Sequence, residues 1–443
     1  MCEYCHIDGA LWKLYCIHEI ECNVGSTTSE VTLPVQDDLH GYVDPEGRIV
    51  LPPEMRARLG LLPAAEITLE EMPNGISLRR PITHLAKLYL EPTNRCNLDC
   101  RICIRNSWDE AQGDMSEETF ARLLEGMQQL EYKPVVVFGG FGEPLFHPDI
   151  VEMVARVRQV ATRLELITNG LLLSDQMARD LIRAGLNMLW ISADALHTGA
   201  NGRPSNALAS IENLHRLRFS LHSQSPETGI VMVATPANMN DFPDLLRKAA
   251  RYGVSRYMLT NMLPYTAEMC NQTLYGRALD RVASRPTPMS PSVQLPRIDW
   301  NEQTVNPLAQ VLRTRHNVSI HGASLDLPGG RCPFIESGAL TISWDGAVSP
   351  CLGLMHGHVS YLYDTPRAVT RYVIGNINDA ALEEIWRNTD HLAFRQRVRE
   401  FDFSPCTLCA SCEMAESNEE DCYGNTFPTC GGCLWAWGVI QCP

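Results

Sequence analysis

The sequence predicts an α/β protein with a mostly parallel sheet, a small β-rich domain before the sheet and a cysteine-rich domain after it. Between residues 86 and 262, short apolar runs alternate with helical patterns, an order typical of parallel sheets. Residues 41–80 contain shorter alternating runs separated by proline, asparagine and glycine, as in small β domains. Nine of the 17 cysteines lie from Cys332 onward, which indicates a separate C-terminal domain.

The composition limits the class of protein. A chain of 443 residues is too long for one ordinary core, and about two to four domains are expected. The net charge of −15 argues against a general nucleic-acid binder and against anionic membrane surfaces. No apolar run reaches the length of a transmembrane helix, and the N-terminus lacks the pattern of a signal peptide. We therefore expect a cytoplasmic protein with no membrane contact, whose reduced thiols bind metal.

Residues 1–40 form a leader that contains Cys2, Cys5, Cys16 and Cys22. The Cys2-x2-Cys5 spacing is that of a metal knuckle, but the spacing to the other two cysteines fits no known pattern. A metal site and a flexible leader with incidental cysteines both remain open.

Residues 41–82 have the pattern of a compact β unit. A turn at Asp44 to Gly47 precedes a short strand, and Pro53 begins a helix that Gly60 ends. Alternating Ile67 and Leu69, and a turn at residues 73–75, complete the unit. The segment resembles the AbrB-like swapped-hairpin domain, which dimerises and binds DNA. Residues 41–80 carry five arginines against six acidic side chains, and since phosphate contact needs a basic stripe, we expect dimerisation or partner docking rather than DNA binding.

Residues 85–284 contain six strand-then-helix units, fewer than the eight of a full barrel. Helical patterns such as residues 117–130 and 149–160 lie between the strands. In parallel barrels, function lies at the C-terminal ends of the strands. The predicted strands are Lys87 to Leu90, Val135 to Phe138, Leu164 to Ile167, Met188 to Ile191, Ile230 to Ala234 and Tyr257 to Leu259.

Three cysteines lie in one short loop directly after the first of these strands. Cys96, Cys100 and Cys103 are spaced three and then two residues apart. Structural zinc takes four protein ligands and an ordinary four-iron cluster takes four cysteines. A loop with three thiolates therefore leaves one iron open for a small molecule.

This spacing, entered through Thr93-Asn94-Arg95, resembles the signature of the radical S-adenosylmethionine (radical SAM) superfamily. The resemblance implies a partial (β/α)6 barrel and a 4Fe-4S cluster held by the three cysteines as catalytic ligands. It also implies that S-adenosylmethionine binds the open iron and is reductively cleaved to a 5′-deoxyadenosyl radical. The alternative is a chance spacing in a cysteine-rich chain.

Further strand ends resemble cofactor-binding segments of the same family. The second strand ends in Gly139-Gly140-Phe141-Gly142-Glu143-Pro144, where glycines allow close approach of a ligand and Glu143 can accept a hydrogen bond from an ammonium group. The resemblance implies that this motif binds the methionyl amine of S-adenosylmethionine. It also implies that the segments at the next two strand ends lie near the ribose and the methionyl carboxylate of the same molecule. The implied cofactor-binding residues are Gly140, Gly142, Glu143, Pro144, Thr168, Asn169, Ser192 and Asp194.

The C-terminal part, residues 329–443, follows a linker predicted over residues 285–328. It resembles the SPASM extension, which begins with a cysteine, a Gly-x4-Cys hairpin and a Gly-Asn-Ile segment. The resemblance implies two auxiliary 4Fe-4S clusters, with Cys442 as the spare cysteine; a pair of zinc knuckles is the alternative. The implied ligands are Cys332, Cys351, Cys406, Cys409, Cys412, Cys422, Cys430 and Cys433.

A finer resemblance links the chain to radical SAM maturases associated with tungsten-cofactor oxidoreductases. It rests on the 138–144 segment, the AbrB-like domain and the ending Cys430-Gly431-Gly432-Cys433. It implies modification of a cofactor or peptide during maturation of a tungsten-dependent oxidoreductase, with a ferredoxin or flavodoxin as electron donor. The alternatives are a peptide-modifying radical SAM/SPASM maturase or dehydrogenase, acting on a precursor peptide, and an iron-sulfur redox sensor that binds DNA. A homodimer through the AbrB-like domain is compatible with each.

Overall fold

The computed structural model describes residues 41–61, 67–72, 75–193, 207–276, 298–299, 301–312, 331–408 and 412–443. The chain divides into two compact units, residues 1–55 and 56–443. The predicted leader cysteines Cys2, Cys5, Cys16 and Cys22 lie outside the described residues.

The described part of the first unit is an antiparallel hairpin of β1 (Tyr42–Val43) and β2 (Ile49–Val50). Its turn is closed by Asp44, whose carboxylate accepts hydrogen bonds from the backbone N–H groups of Glu46 and Arg48 at 3.1 and 2.8 Å. This is the turn that the sequence predicts. Helix α1 (Pro53–Leu59) begins with the predicted proline.

The second unit contains a second hairpin, of β3 (Thr68–Met72) and β4 (Gly75–Arg79), paired from Thr68 opposite Arg79 to Met72 opposite Gly75. The elements therefore follow the predicted order, while the first two residues of the predicted 73–75 turn lie outside the described residues. Whether the segment is AbrB-like stays a prediction.

A nine-stranded sheet forms the centre of the second unit, with six strands from residues 87–261 and three strands from the C-terminal part of the chain. Strands β5 to β10 are parallel and sequential, which confirms the predicted arrangement. The strands are β5 (Lys87–Leu90), β6 (Val135–Phe138), β7 (Arg163–Thr168), β8 (Met188–Ser192), β9 (Glu227–Ala234) and β10 (Val254–Asn261). The intervening helices are α2 (Glu117–Gln129), α3 (Ile150–Val157), α4 (Asp175–Arg183), α5 (Ala207–Ser220), α6 (Phe242–Ala250) and, after β10, α7 (Ala267–Cys270).

Alternate residues of the parallel strands enter two different cores. In β5, Leu88 and Leu90 pack in the core that contains the helices, whereas Tyr89 packs in a second core with residues of the C-terminal part. Val137 of β6 joins Tyr89 there. Because side chains alternate between the faces of a strand, one face of the sheet is covered by helices and the other contacts the C-terminal domain.

The C-terminal domain extends the sheet. Strand β11 (Ala339–Ile342) pairs parallel with β5, and β12 (Ala347–Ser349) pairs antiparallel with β11. This is the predicted Gly-x4-Cys hairpin. The remaining elements are α9 (Pro333–Glu336), the hairpin β13 (His358–Leu362) and β14 (Thr365–Val369), β15 (Gly375–Asn376), α10 (Leu382–Arg387) and α11 (Thr389–Glu400).

Part of the predicted linker over residues 285–328 is a helix, α8 (Glu302–Leu312). Leu308 and Val311 are fully buried in the same core as the barrel helices. Buried residues at 304, 307, 308 and 311 follow helical spacing, although Pro307 and the polar neighbours obscure the pattern. The prediction of a linker is therefore wrong for these residues. Of the helices that the structure describes, none is both long and apolar enough to span a bilayer.

Candidate active site and cluster-binding sites

The loop with Cys96, Cys100 and Cys103, here called the cysteine loop, leaves the C-terminal end of β5 as predicted. All three cysteine side chains are half-buried. The loop entrance is fixed by Thr93, whose hydroxyl donates to the Gly113 carbonyl at 2.8 Å, and by an ion pair between Arg95 and Asp114 at 2.7 Å.

One guanidinium, that of Arg105, lies beside all three thiols. Its Nε donates to Cys103 Sγ at 3.3 Å, and its other nitrogens donate to the carbonyls of Asn94 and Leu98. Burial by itself would lower the pKa of Arg105, but the three nearby cysteines outweigh burial and raise it. In the described part of the chain, Arg105 has no carboxylate partner. A cation that is partly removed from water is stabilised by a nearby anion, so this position of the half-buried Arg105 fits three thiolates that hold an anionic cluster.

The 139–144 segment presses directly against the cysteine loop. A Cβ on Gly142 would lie 2.0 Å from the Thr93 carbonyl oxygen and 2.8 Å from that of Arg95. The backbone N–H of Glu143 donates to the Arg95 carbonyl at 2.8 Å. Glycine at 142 is therefore needed for contact between the two loops, since any side chain would overlap backbone atoms.

Glu143 joins the ends of two strands. Its side chain is 2% exposed and accepts hydrogen bonds from Thr168 Oγ1 and the Asn169 N–H, both at 2.7 Å, and from the Leu145 N–H at 3.1 Å. Burial raises the pKa of the Glu143 carboxyl, while these hydrogen bonds act in the opposite direction. Three of the roughly four acceptor positions of a carboxylate are thus used within the protein. Its role toward the methionyl amine stays a prediction.

The structure brings several predicted site residues together. Asn169 Nδ2 donates to Asn97 Oδ1 at 2.8 Å and lies 3.9 Å from Cys96 Sγ, so the third strand end contacts the cysteine loop. Pro144 is buried and begins a short 3-10 helix. Ser192 is half-buried at the end of β8, and Asp194 lies outside the described residues.

Four C-terminal cysteines line one cavity, here called the rear cavity: Cys332, Cys351, Cys430 and Cys433. The rest of its wall is largely apolar and includes Leu263, Leu354 and Trp435. Burial raises the pKa of all four thiols, that of Cys332 to about 12. A four-cysteine set in a water-poor cavity fits a 4Fe-4S cluster, which would deprotonate the thiols on binding.

Arg367 provides an independent test of that fit. It is 3% exposed, lines the rear cavity and donates to the Ala415 carbonyl at 2.6 Å. Burial lowers its pKa, and the neighbouring Cys406, Cys433 and Cys430 act in the opposite direction. Among the described residues, these cysteines are the only acidic groups that act on it. A buried guanidinium without a carboxylate is costly unless the thiols are ionised, as they are in a cluster.

The other C-terminal cysteines differ in their surroundings. Cys406 is buried beside Arg367 and Gly431, Cys412 and Cys422 are exposed, and Cys409 lies outside the described residues. Cys442 does not line the rear cavity; it is near Lys87 and Trp435. Within the described ranges, no three His, Cys, Asp or Glu side chains are grouped closely enough to hold a single metal ion.

Sequence reasoning missed five residues around these sites: Arg105, Arg367, Glu91, Glu110 and His356. Arg105 lies two residues after Cys103 and could have been found as a cation next to a thiolate loop. The other four belong to no recognisable motif. Glu91 and Glu110 are more than 200 residues from their partner His356 in the sequence, and the role of Arg367 follows only from its burial.

Two family models match the chain. Residues 90–249 match the radical SAM superfamily, and residues 332–413 match the SPASM iron-sulfur cluster-binding domain. The first match contains the cysteine loop and the 139–144 segment, and the second contains five of the eight predicted auxiliary ligands.

Similar proteins include the tungsten-containing aldehyde ferredoxin oxidoreductase cofactor-modifying protein of Pyrococcus furiosus, 29% identical over 367 residues, which cover 80% of this chain and 96% of the relative. The PqqA peptide cyclase of Gluconobacter oxydans is 25% identical over 366 residues, 79% of this chain and 90% of the relative. Among solved structures, Streptococcus suis SuiB bound to S-adenosylmethionine has 14% identity and a TM-score of 0.49, covering 77% of this chain and 73% of that chain.

The two family-model matches agree with the geometry. The front cysteines have a thiolate-stabilising cation, and four rear cysteines share a cavity with a second cation. The radical SAM 4Fe-4S cluster, S-adenosylmethionine and auxiliary iron-sulfur clusters are therefore its cofactors. The chain carries a radical SAM domain over residues 90–249 and a C-terminal SPASM domain over residues 332–413, and it is a radical SAM enzyme.

Proposed function

We propose that this enzyme modifies a cofactor or a peptide during maturation of a tungsten-dependent oxidoreductase. The observation that carries the proposal is the match to the Pyrococcus furiosus cofactor-modifying protein, which spans 80% of this chain and nearly the whole relative. That match extends well beyond the residues covered by the two family models, so the similarity is not limited to the two matched domains.

The front site has the parts that the reaction needs. When bound, the cluster supplies one electron to the sulfonium of S-adenosylmethionine. Cys96, Cys100 and Cys103 would hold this cluster, and Arg105 would stabilise the negative charge of their thiolates. Glu143 keeps the second and third strand ends together and retains about one acceptor position for the methionyl amine.

The rear cysteines divide into two proposed ligand sets. The first is Cys332, Cys351, Cys430 and Cys433, because these four line one cavity. The second set is then Cys406, Cys409, Cys412 and Cys422, with Cys442 as the spare. The first set is supported by the surroundings of Cys351, whose pKa is raised by burial and by the charges of Cys332, Cys433 and Cys430.

An iron and sulfide count on the anaerobically reconstituted protein tests the cofactors. Three four-iron clusters predict roughly twelve irons per chain. Replacing Cys96, Cys100 and Cys103 with Ala should leave roughly eight irons and abolish release of 5′-deoxyadenosine. Retained cleavage, or zinc in place of iron, would contradict the assignment.

The substrate is tested by incubating the loaded enzyme with an immature tungsten oxidoreductase. Mass spectrometry of the extracted cofactor and of the digested partner should then show a mass change that depends on S-adenosylmethionine and is absent with the front-cysteine variant. Failure to modify either, with normal cleavage of S-adenosylmethionine, would refute the substrate and leave the enzyme class intact.

A second candidate is modification of a ribosomally made peptide. It is favoured by the similarity to PqqA peptide cyclase, which also extends over most of both chains. A short precursor peptide encoded beside this gene, and its crosslinking or oxidation in the same assay, would support this candidate over the first. A shift of an operator DNA fragment without cleavage of S-adenosylmethionine would instead support the redox sensor.

The proposal includes a ferredoxin or flavodoxin as electron donor, a cytoplasmic location and a homodimer through residues 41–82. Exposed apolar side chains support the dimer: Tyr42, Val43 and Ile49 in the first unit, and Leu69 and Ile76 in the second. Exposed apolar groups of this kind commonly mark interaction surfaces. Light scattering should give twice the mass of the chain, and a variant that lacks residues 41–82 should be monomeric.

A further inference from the structure

A buried imidazole, that of His356, lies between two carboxylates. His356 Nε2 is 2.8 Å from Glu91 Oε2, and His356 Nδ1 is 2.6 Å from Glu110 Oε2. The His356 and Glu91 side chains are 1% and 0% exposed, and that of Glu110 is 25% exposed. The rings of Trp108 and Phe141 cover the imidazole at centroid distances of 4.4 and 5.8 Å.

The two carboxylates come from opposite sides of the cysteine loop. Glu91 follows β5 and precedes Cys96, whereas Glu110 comes after Cys103. His356 belongs to the SPASM domain, just before β13. His356 of the SPASM domain therefore connects the segment before the cysteine loop, which carries Glu91, with the segment after it, which carries Glu110.

The same residues also reach the 139–144 segment. Glu91 Oε1 accepts a hydrogen bond from the Phe141 N–H at 2.9 Å, and a Cβ on Gly140 would lie within 2.8 Å of Glu91. Glu110 Oε1 accepts from the Gly357 N–H at 2.7 Å. The network thus links the cysteine loop, the predicted methionyl-binding loop and the SPASM domain.

The charge of this network argues for a positional role. Burial would lower the pKa of His356, but Glu91 and Glu110 outweigh it and raise the pKa. Buried ionic networks contribute little net stability compared with apolar packing, and a well-attested reason to retain one is conformational specificity. Here the specificity concerns loops that must hold reacting groups in place, where small displacements have large effects on rate.

We infer that His356, held by Glu91 and Glu110, is a positioning residue of the radical site that sets the cysteine loop and the 139–144 segment in their binding geometry. This inference concerns the binding of S-adenosylmethionine and does not depend on which substrate is modified. It makes the SPASM domain a structural part of the front site as well as a holder of clusters.

The test compares His356→Gln and Glu110→Gln with the parent enzyme, all fully reconstituted. The control is His391→Gln, since His391 is as buried as His356. His391 packs on Trp386, and the Trp386 Nε1 donates to the carbonyl of Thr83, which lies before β5 and outside the cysteine loop. The readouts are the Kd for S-adenosylmethionine, iron content and the electron paramagnetic resonance signal of the reduced front cluster. Glu110→Gln removes the negative charge that faces the same imidazole. It should disturb the fold less than His356→Gln, because the Glu110 side chain is partly exposed.

We expect both variants to weaken binding of S-adenosylmethionine by roughly 2- to 30-fold, to shift the front-cluster signal and to leave the rear-cluster signals unchanged. His391→Gln should match the parent. Selective loss of the front cluster would also support the inference. A Kd within twofold of the parent with an unchanged front signal, or equal loss of front and rear iron, would overturn it. Should His356→Gln fail to fold, the Glu110→Gln result decides.

Discussion

Gly142 offers a sharp test of how the cofactor-binding loops contact each other. In Gly142→Ala, the new Cβ would lie 2.0 Å from the Thr93 carbonyl oxygen and 2.8 Å from the Arg95 carbonyl oxygen and Asn94 Cα. All three are backbone atoms, so no rotamer change relieves the overlap. Since Cβ contacts in proteins essentially never fall below 3.0 Å, the two loops must separate by about 1 Å.

A displacement of about 1 Å at the cysteine loop can lower the rate by about a hundredfold, and overpacking of this kind costs about 1–3 kcal/mol of stability. We therefore expect Gly142→Ala to fold, since the stability cost is modest for a chain of this size, but to release 5′-deoxyadenosine about a hundred times more slowly.

The assay is release of 5′-deoxyadenosine under reducing, anaerobic conditions, normalised to bound iron. Gly75→Ala is the matched control, because a Cβ at Gly75 meets no atom within 4 Å; it should react at the parent rate. A Gly142→Ala enzyme with a rate within threefold of the parent would show that the loops tolerate separation and would refute this reasoning.

Three further predictions concern the rear domain and the buried histidine. Cys351→Ala should lose about four irons, because Cys351 lines the rear cavity, whereas Cys442→Ala should keep all of them; equal iron contents would contradict the division of ligands. Arg367→Met should lower the midpoint potential of a rear cluster by tens of millivolts in an electron paramagnetic resonance titration, since a buried positive charge favours the reduced state; Arg371→Met, which removes a charge already paired with a carboxylate, should not. The pKa of His356 is raised in the folded protein, so the charged imidazole stabilises the fold fully below the unfolded pKa of about 6.5. This contribution is lost as the pH rises through the higher folded pKa. The urea midpoint of the parent should therefore fall with rising pH, and that of His356→Gln should fall less.

The parallel sheet and the front site could be predicted because their signals are local. Runs such as Lys87–Leu90 and Val135–Phe138 are short, apolar and separated by helical patterns, and the structure has strands with these bounds. The cysteine spacing and the glycines at 140 and 142 are also contained within a few residues. Such patterns can be read from the sequence because the local preference of each strand or loop agrees with the conformation it has in the fold.

Helix α8 shows where local patterns fail. Its buried positions include Thr304 and Pro307 beside Leu308 and Val311, so only half of the buried face is aliphatic. Proline inside the pattern normally indicates the end of a helix. Packing against the core outweighs that local preference here, and packing cannot be read from the segment alone.

The buried charged contacts have no local signal at all. His356 meets Glu91 across 265 positions, and the cysteines beside Arg367 come from residues 406 to 433. Each of these residues is unremarkable where it stands in the sequence. Their importance follows from burial, because a charge removed from water needs a partner and that partner can come from anywhere in the chain.

Arg367 gives this reasoning a final test, in which one substitution should have opposite effects in two states of the protein. Without clusters, burial keeps the rear thiols protonated, and Arg367 is a buried cation with no anion among the described residues. Replacing such an unpaired charge with an apolar residue of similar volume removes its desolvation cost and should be neutral or stabilising. With a cluster bound, the thiolates pair with Arg367, and breaking a buried pair costs about 3–5 kcal/mol. Arg367→Met should therefore be at least as stable as the parent after iron is removed with a chelator, and less stable than the parent when reconstituted, as measured by anaerobic thermal and urea unfolding. A loss of stability of the same size in both states would mean that Arg367 stabilises the domain by packing alone and would remove the electrostatic argument for a cluster in the rear cavity.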